Sequence, residues 1–230
     1  MSTLYGIDVS YANGTLNWTD IANSGQVDFA ILRAGYGQNN SDAQILRNVL
    51  GCTVNNIPFG IYWFSYALNV NNAENEGYFA ARLCDNLLAN YGITNTYGIW
   101  YDWEYDSDTY AQNQGVTITN AMRAAFAEAF CNKCITMGYT AGIYTNLDYL
   151  NNKGMRQVVN DGYPLWLAQW GVQQPSETCS IWQYGLTTIQ GVQGQFDGDV
   201  ISDVWPPTPP TPPTRKSMPL WMMLRYPPYF

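Results

Sequence analysis

Histidine is absent from all 230 residues of the chain. A Ser-His-Asp triad and a Cys-His pair are therefore excluded. Zinc sites that need imidazole, such as HExxH, are excluded as well. Charge is scarce, with only 12% of residues Asp, Glu, Lys or Arg. No run of about 18 apolar residues exists, so no membrane span is expected. The N-terminal MSTLYGIDVS has no basic n-region and no apolar h-region, so a secretory leader is not expected either. Acid-base work near neutral pH falls to carboxylates, tyrosines, lysines and cysteines.

The charges that are present are unevenly spread. All 18 acids precede Pro206, and three of the ten basic residues, Arg215, Lys216 and Arg225, follow it. Seven basic residues against eighteen acids leave residues 1–205 at −11 and the tail at +3. An acidic body argues against nucleic acid or an anionic membrane as partner. Its surface of Asn, Gln, Thr, Ser and Tyr suits a neutral polar ligand such as a sugar. The five cysteines are an odd number, poor evidence for a disulfide framework. Cys131 and Cys134 form a CxxC, but they lie one turn apart late in the helical run AMRAAFAEAFCNKCITMG. They read as buried structural thiols rather than a metal or redox site. No metal and no organic cofactor is implied.

A sharp boundary falls at PPTPPTPPT, residues 206–214. Proline fixes φ and removes donors, so this stretch reads as an extended linker of roughly 28 Å at ~3.1 Å per residue. The tail 215–230 is too short for a domain and is expected to be disordered or loosely docked. Residues 1–205 are expected to form one domain. Short apolar runs recur there: YGIDVSY, DFAILRAGYG, FGIYWFSYA, YGIWYDWE, TAGIYTN, PLWLAQW, SIWQYG and DGDVIS. Helical stretches are expected at 42–56, 73–91, 117–137 and 147–160, with Asp42 and Thr117 as N-caps and Gly138 as a stop. This alternation predicts an α/β fold with a mainly parallel sheet. Eight such runs imply a single TIM-like (β/α) barrel, irregular where the last gaps are too short for helices.

In such a barrel, chemistry sits at the carboxyl ends of the strands. Asp8 ends the first run, Asp102 and Glu104 end the fourth, and Asp197 and Asp199 lie in the last. Alternation along a strand puts Asp102 and Glu104 on one face, with Cα atoms ~6.6 Å apart, and turns Trp103 to the other. Two carboxyls that close in a poorly solvated pocket cannot both ionise easily, so one should hold a proton near neutral pH. A neutral carboxyl beside an ionised one is the equipment of glycoside hydrolysis. Eighteen tyrosines and nine tryptophans exceed what a barrel core needs. Tyr36, Tyr62, Tyr66, Tyr144, Trp166 and Trp170 lie on or near strand ends, where flat rings can stack on sugar faces.

In this order, GIDVSYANG, DFAILRAGYG, PFGIYWFSYA, YDWE, GIYTN, LWLAQW, WQYG and GVQGQFDGDV resemble the family 25 glycoside hydrolases, the Chalaropsis-type lysozymes that include many phage endolysins. The resemblance covers residues 4–205. It implies an N-acetylmuramidase acting on bacterial peptidoglycan, at the β-1,4 bond from N-acetylmuramic acid to N-acetylglucosamine. It implies Glu104 as proton donor and Asp102 as partner carboxylate, orienting the substrate acetamido group. Asp8 and Asp197 complete the acidic pocket, with Asp199 a rival for the fourth place. Arg33, Tyr62, Tyr144 and Trp166 are the expected substrate contacts. A monomer is expected, made in the cytoplasm without a Sec signal and released to the wall in the manner of a phage or prophage lysin. The wall-binding repeats usual in the family are missing after the linker. Two other readings compete. A chitinase-like hydrolase would carry a longer acidic run, whereas Tyr101 precedes DWE here. A wall-binding lectin would have lost a key acid, and all are present.

Overall fold

A computed structural model describes residues 3–201. The linker 206–214 and the tail 215–230 lie outside the described residues. The strands are β1 (Leu4–Val9), β2 (Phe29–Tyr36), β3 (Asn40–Ser41), β4 (Phe59–Phe64), β5 (Ile99–Asp102), β6 (Ala141–Asn146), β7 (Leu165–Ala168), β8 (Ile181–Thr187) and β9 (Phe196–Ile201). Eight of them close a ring in the order β1, β2, β4, β5, β6, β7, β8, β9, and the two-residue β3 hangs on β2 outside it. The eight correspond to the eight apolar runs. The helices are α1 (Trp18–Asn23), α2 (Ile45–Val54), α3 (Val70–Tyr91), α4 (Tyr105–Asn113), α5 (Asn120–Thr136), α6 (Leu147–Asn152) and α7 (Met155–Asn160). None of the described helices is long and apolar enough to cross a membrane.

Within the ring, every pairing from β1 through β8 is parallel, but β9 runs antiparallel to both its neighbours, β8 and β1. The connection from β8 to β9 is too short for a helical crossover, and antiparallel pairing is the geometry a short connection allows. The sequence had implied a mainly parallel sheet that loses regularity in its last third, and this is how the irregularity is realised.

Period-two alternation divides the core into two layers. Ile7, Val9, Ile61, Trp63, Tyr101 and Trp103 face outward and pack with Phe126, Phe130 and other helix residues. Phe29, Ile31, Trp100, Trp166, Ile181 and Ile201 fill the barrel interior. Two glycines make room for the large rings. A Cβ on Gly6 would lie 2.5 Å from the Phe29 ring, and one on Gly142 would lie 2.7 Å from the Trp100 ring. The five cysteines are free and buried.

Three local expectations change. Thr119, not Thr117, caps α5, and its side chain accepts the Met122 N–H. The run 147–160 is two short helices, because Gly154 adopts φ +96° and breaks the chain direction between them. Asp42 is not the cap of α2, which starts at Ile45 after Gln44. Its carboxylate is spent on the Tyr11 and Gln44 backbone N–H groups and on Arg33.

Candidate active site

The end of β5 supplies the paired acids. Asp102 is the last residue of the strand, and two residues on Glu104 is the N-cap of α4. Ser107 Oγ accepts the Glu104 N–H at 3.1 Å, fixing the turn into the helix. Between the acids, Trp103 turns outward as alternation requires, 5.8 Å from the Phe126 ring. Its indole N–H donates to Asp108 Oδ1 at 3.2 Å. Asp108 also takes a two-pronged bond from Arg123, at 2.9 Å on each oxygen, and the Tyr149 hydroxyl at 2.7 Å. One carboxylate thus ties α4, α5 and α6 together behind the acid pair. Asp108→Ala should lower stability by about 3 kcal/mol, because it strands the mostly buried Arg123. The midpoint of denaturant unfolding measures this, and a loss below about 1 kcal/mol would refute the brace.

Two more acids face the same mouth. Asp8 on β1 stands directly opposite Asp197 on β9. Because β9 is antiparallel, its first residues, not its last, reach the end of the barrel where the parallel strands finish. That places Asp197 at the mouth, and Asp199 deeper, opposite Gly6 and fully buried. Burial is the leading cause that lifts the carboxyls of Asp8, Asp102, Glu104 and Asp197 above their ordinary range. For Asp102, the next causes are the neighbouring Glu104 and Asp8, with Arg33 opposing them. Glu104 is held back by the Tyr144 hydroxyl and pushed up by Asp106 and Asp197. Asp102 Oδ1 is buried with no hydrogen-bond partner. So many acids in so dry a mouth cannot all be ionised at neutral pH.

Arg33 lies on β2 in register with Tyr62 on β4, and its Nε donates to Asp42 at 2.7 Å. Its guanidinium stacks 4.5 Å from the centre of the Tyr11 ring. Tyr144 on β6 is in register with Asp102 on one side and Trp166 on the other. Trp166 is only 1% exposed and its N–H donates to Asp199 at 2.8 Å. It meets Tyr62 and Tyr144 edge-on at 6.0 and 4.6 Å, so it supports those rings from below and offers no open face. Gln183 on β8 links three groups: its Nε2 donates to Asp8 at 2.8 Å, and its Oε1 accepts from Tyr144 and from Trp170, both at 3.1 Å. Sequence reasoning missed Gln183 as a site residue, although it sits in WQYG. An amide between an acid and two aromatics has no local signature.

On the far side of the mouth, Tyr66 lies 6.3 Å from Tyr36 and 4.6 Å from Tyr110. Buried Glu76 on α3 holds that wall. It accepts from Ser65 Oγ at 2.6 Å, from the Tyr66 N–H at 3.1 Å and from Gln38 Nε2 at 3.2 Å. Burial lifts its carboxyl to about 7 against hydrogen bonds that lower it. A carboxyl whose folded pKa exceeds its unfolded value contributes stability below the unfolded value and loses it as pH rises through the folded one. Thermal stability should therefore fall between about pH 4.5 and pH 7, by about 3 kcal/mol from this group, and Glu76→Gln should flatten that slope. An unchanged slope in Glu76→Gln would reject the assignment.

Among the described residues, no group of three or more His, Cys, Asp and Glu is arranged to hold a metal ion. The described residues also line hollows of about 220 Å³ near Cys84 and Asn95 and about 280 Å³ near Tyr5 and Tyr184. Neither is lined by any of these acids, which gather at the open mouth instead.

The chain is 26% identical over 203 residues to Lysozyme M1 of Streptomyces globisporus, covering 85% of this chain and 67% of that one. The bacterial lysozyme from Streptomyces coelicolor superposes with a TM-score of 0.69 at 21% identity, over 88% of this chain and 93% of that one. The modular autolysin LytC from Streptococcus pneumoniae, solved in complex with a synthetic peptidoglycan ligand, superposes with a TM-score of 0.70 at 24% identity. That match covers 87% of this chain, which spans about half the autolysin, 47% of its length. The family model described as glycosyl hydrolases family 25 matches residues 7–192, most of the chain, and the chain belongs to that family of glycoside hydrolases.

Proposed function

We propose that this glycoside hydrolase is a muramidase, hydrolysing the β-1,4 bond from N-acetylmuramic acid to N-acetylglucosamine in bacterial peptidoglycan. The observation that carries this reading is the DWE strand end at the barrel mouth, with Asp102 and Glu104 crowded in a dry site and Asp8 and Asp197 opposite. Glu104, at the lip and only partly exposed, carries the proton that goes to the leaving glycosidic oxygen. Asp102, deeper and with an unpartnered oxygen, accepts the N–H of the substrate acetamido group and aims its carbonyl at the anomeric carbon. A water then completes the hydrolysis, and Glu104 recovers its proton from it. Asp8 and Asp197 keep the mouth negative, which favours a protonated Glu104 and the positive charge that develops on the sugar ring.

Substrate binding falls to Arg33, Tyr62 and Tyr144 along the mouth, with Trp166 stiffening the two tyrosines from beneath. The described residues carry all these groups, so one copy of the chain suffices for the chemistry, and the working form is proposed to be a monomer. The reaction needs no cofactor, and the partner is peptidoglycan rather than nucleic acid.

Digestion of purified peptidoglycan, borohydride reduction and identification of the new reducing sugar test the proposal. Reduced N-acetylmuramic acid is the expected product. Reduced N-acetylglucosamine would refute the bond assignment while leaving the carboxylate chemistry in place. No new reducing end on any wall would refute catalysis.

A further inference from the structure

The inner face of β9 carries an acid that the mechanism above does not use. Asp199 is completely inaccessible. Its Oδ1 accepts the Trp166 indole N–H at 2.8 Å, while its Oδ2 is buried and meets no N–H or O–H donor. In register it lies opposite Gly6 on β1 and opposite Gln183 on β8. Gly6 has no side chain to separate Asp199 from Asp8 two residues along the same inward face, and the two carboxyls are within hydrogen-bonding reach. The groups around the pair are Gln183 and Trp166 as donors, Tyr62, Asp197 beside them, and Glu104 across the mouth. Arg33 acts instead on Asp102 and Tyr62.

If Asp199 were ionised, a second negative charge would press on Asp8 in a buried interior, and Oδ2 would stay unsatisfied. A neutral Asp199 removes both penalties, because Oδ2 then bears a hydrogen that can donate to Asp8. We propose that Asp199 is a positioning residue that remains a carboxylic acid across the working pH range and donates its Oδ2–H to Asp8, holding Asp8 as the ionised, aimed member of the pair. Asp8 already holds the Gln183 donor and is the less buried of the two, whereas Oδ2 of Asp199 has no donor, so the shared proton resides on Asp199. The importance of Asp8 for turnover rests on the muramidase reading. The protonation of Asp199 does not.

The two are therefore measured separately. Infrared spectra at neutral pH should show a protonated-carboxyl C=O stretch in the wild-type protein that Asp199→Asn lacks. Glu104→Gln should leave that stretch in place. Asparagine fits the site, since its Oδ1 can accept from Trp166 and its Nδ2–H can donate to Asp8. Asp199→Asn should therefore keep kcat within about threefold, because one neutral donor replaces another. Asp199→Leu keeps the bulk and loses the donor, so the acid limb of kcat/KM should move up by about one pH unit. Identical infrared spectra for wild type and Asp199→Asn would overturn the proposal, whether or not the protein cleaves peptidoglycan. So would a folded Asp199→Leu whose pH profile superimposes on wild type. Should the leucine variant fail to fold, the infrared comparison with Asp199→Asn decides alone.

Discussion

Glu104→Gln lowers kcat on peptidoglycan by about 10²- to 10⁴-fold, the range supplied by a positioned general acid, and leaves folding and wall binding as they were. The side-chain shape is kept. The backbone N–H of residue 104 still reaches Ser107, and α4 still starts at Tyr105. What disappears is a proton that burial and the acids Asp106 and Asp197 keep on Glu104 at higher pH than an ordinary glutamate allows. The nearby hydroxyl of Tyr144 cannot take over, because burial holds that phenol well above its usual value and it donates to Gln183. The basic limb of kcat/KM in the wild type should report the raised Glu104 group, and residual turnover in the variant should lose that limb. Steady-state kinetics on defined wall fragments, with thermal melts and pull-down on intact walls as controls, measure the effect. A fully active Glu104→Gln would remove Glu104 from the chemistry.

The sequence carried a good deal of this, for reasons that are local. Strand runs such as DFAILRAGYG and FGIYWFSYA announce themselves by β-branched and aromatic density, and each appears as a barrel strand. DWE was legible because period two is enough to set Asp102 and Glu104 together and send Trp103 the other way. The rest depends on partners far apart in the chain. Nothing in FDGDV states that β9 runs antiparallel, yet that direction decides that Asp197 reaches the mouth and Asp199 lies below it. Asp42 looks like a helix cap in one dimension and turns out to be the anchor of Arg33, nine residues upstream. Trp166 looks like a sugar platform at a strand end, but its N–H belongs to an acid 33 residues further on. A glycine after a lysine did not show that α6 and α7 are separate, because the need for glycine at 154 comes partly from a distant neighbour: a Cβ there would collide with the Asn120 carbonyl oxygen on α5.

Asp102→Asn gives the second large effect, and its kinetic form separates two roles. Asparagine matches aspartate in shape, so β5 and its register with Phe64 and Tyr144 should survive. Aspartate can receive the acetamido N–H with a full negative charge, in a site only 5% exposed, where such interactions are strongest. Asparagine offers a neutral oxygen instead, and the advantage lost is largest where charge develops. The expected result is a fall in kcat of about 10²- to 10³-fold with KM changed by less than about threefold. A second signature follows from electrostatics. Glu104 raises Asp102, and that coupling is reciprocal, so removing the Asp102 charge lowers the Glu104 pKa. The basic limb of the remaining activity should then move to lower pH, a shift that simple disorder of the site gives no reason to expect. Full pH profiles of kcat and of kcat/KM for Asp102→Asn test both points. A loss confined to KM would make Asp102 a binding group only. An unmoved basic limb would mean that Asp102 and Glu104 do not share their proton balance.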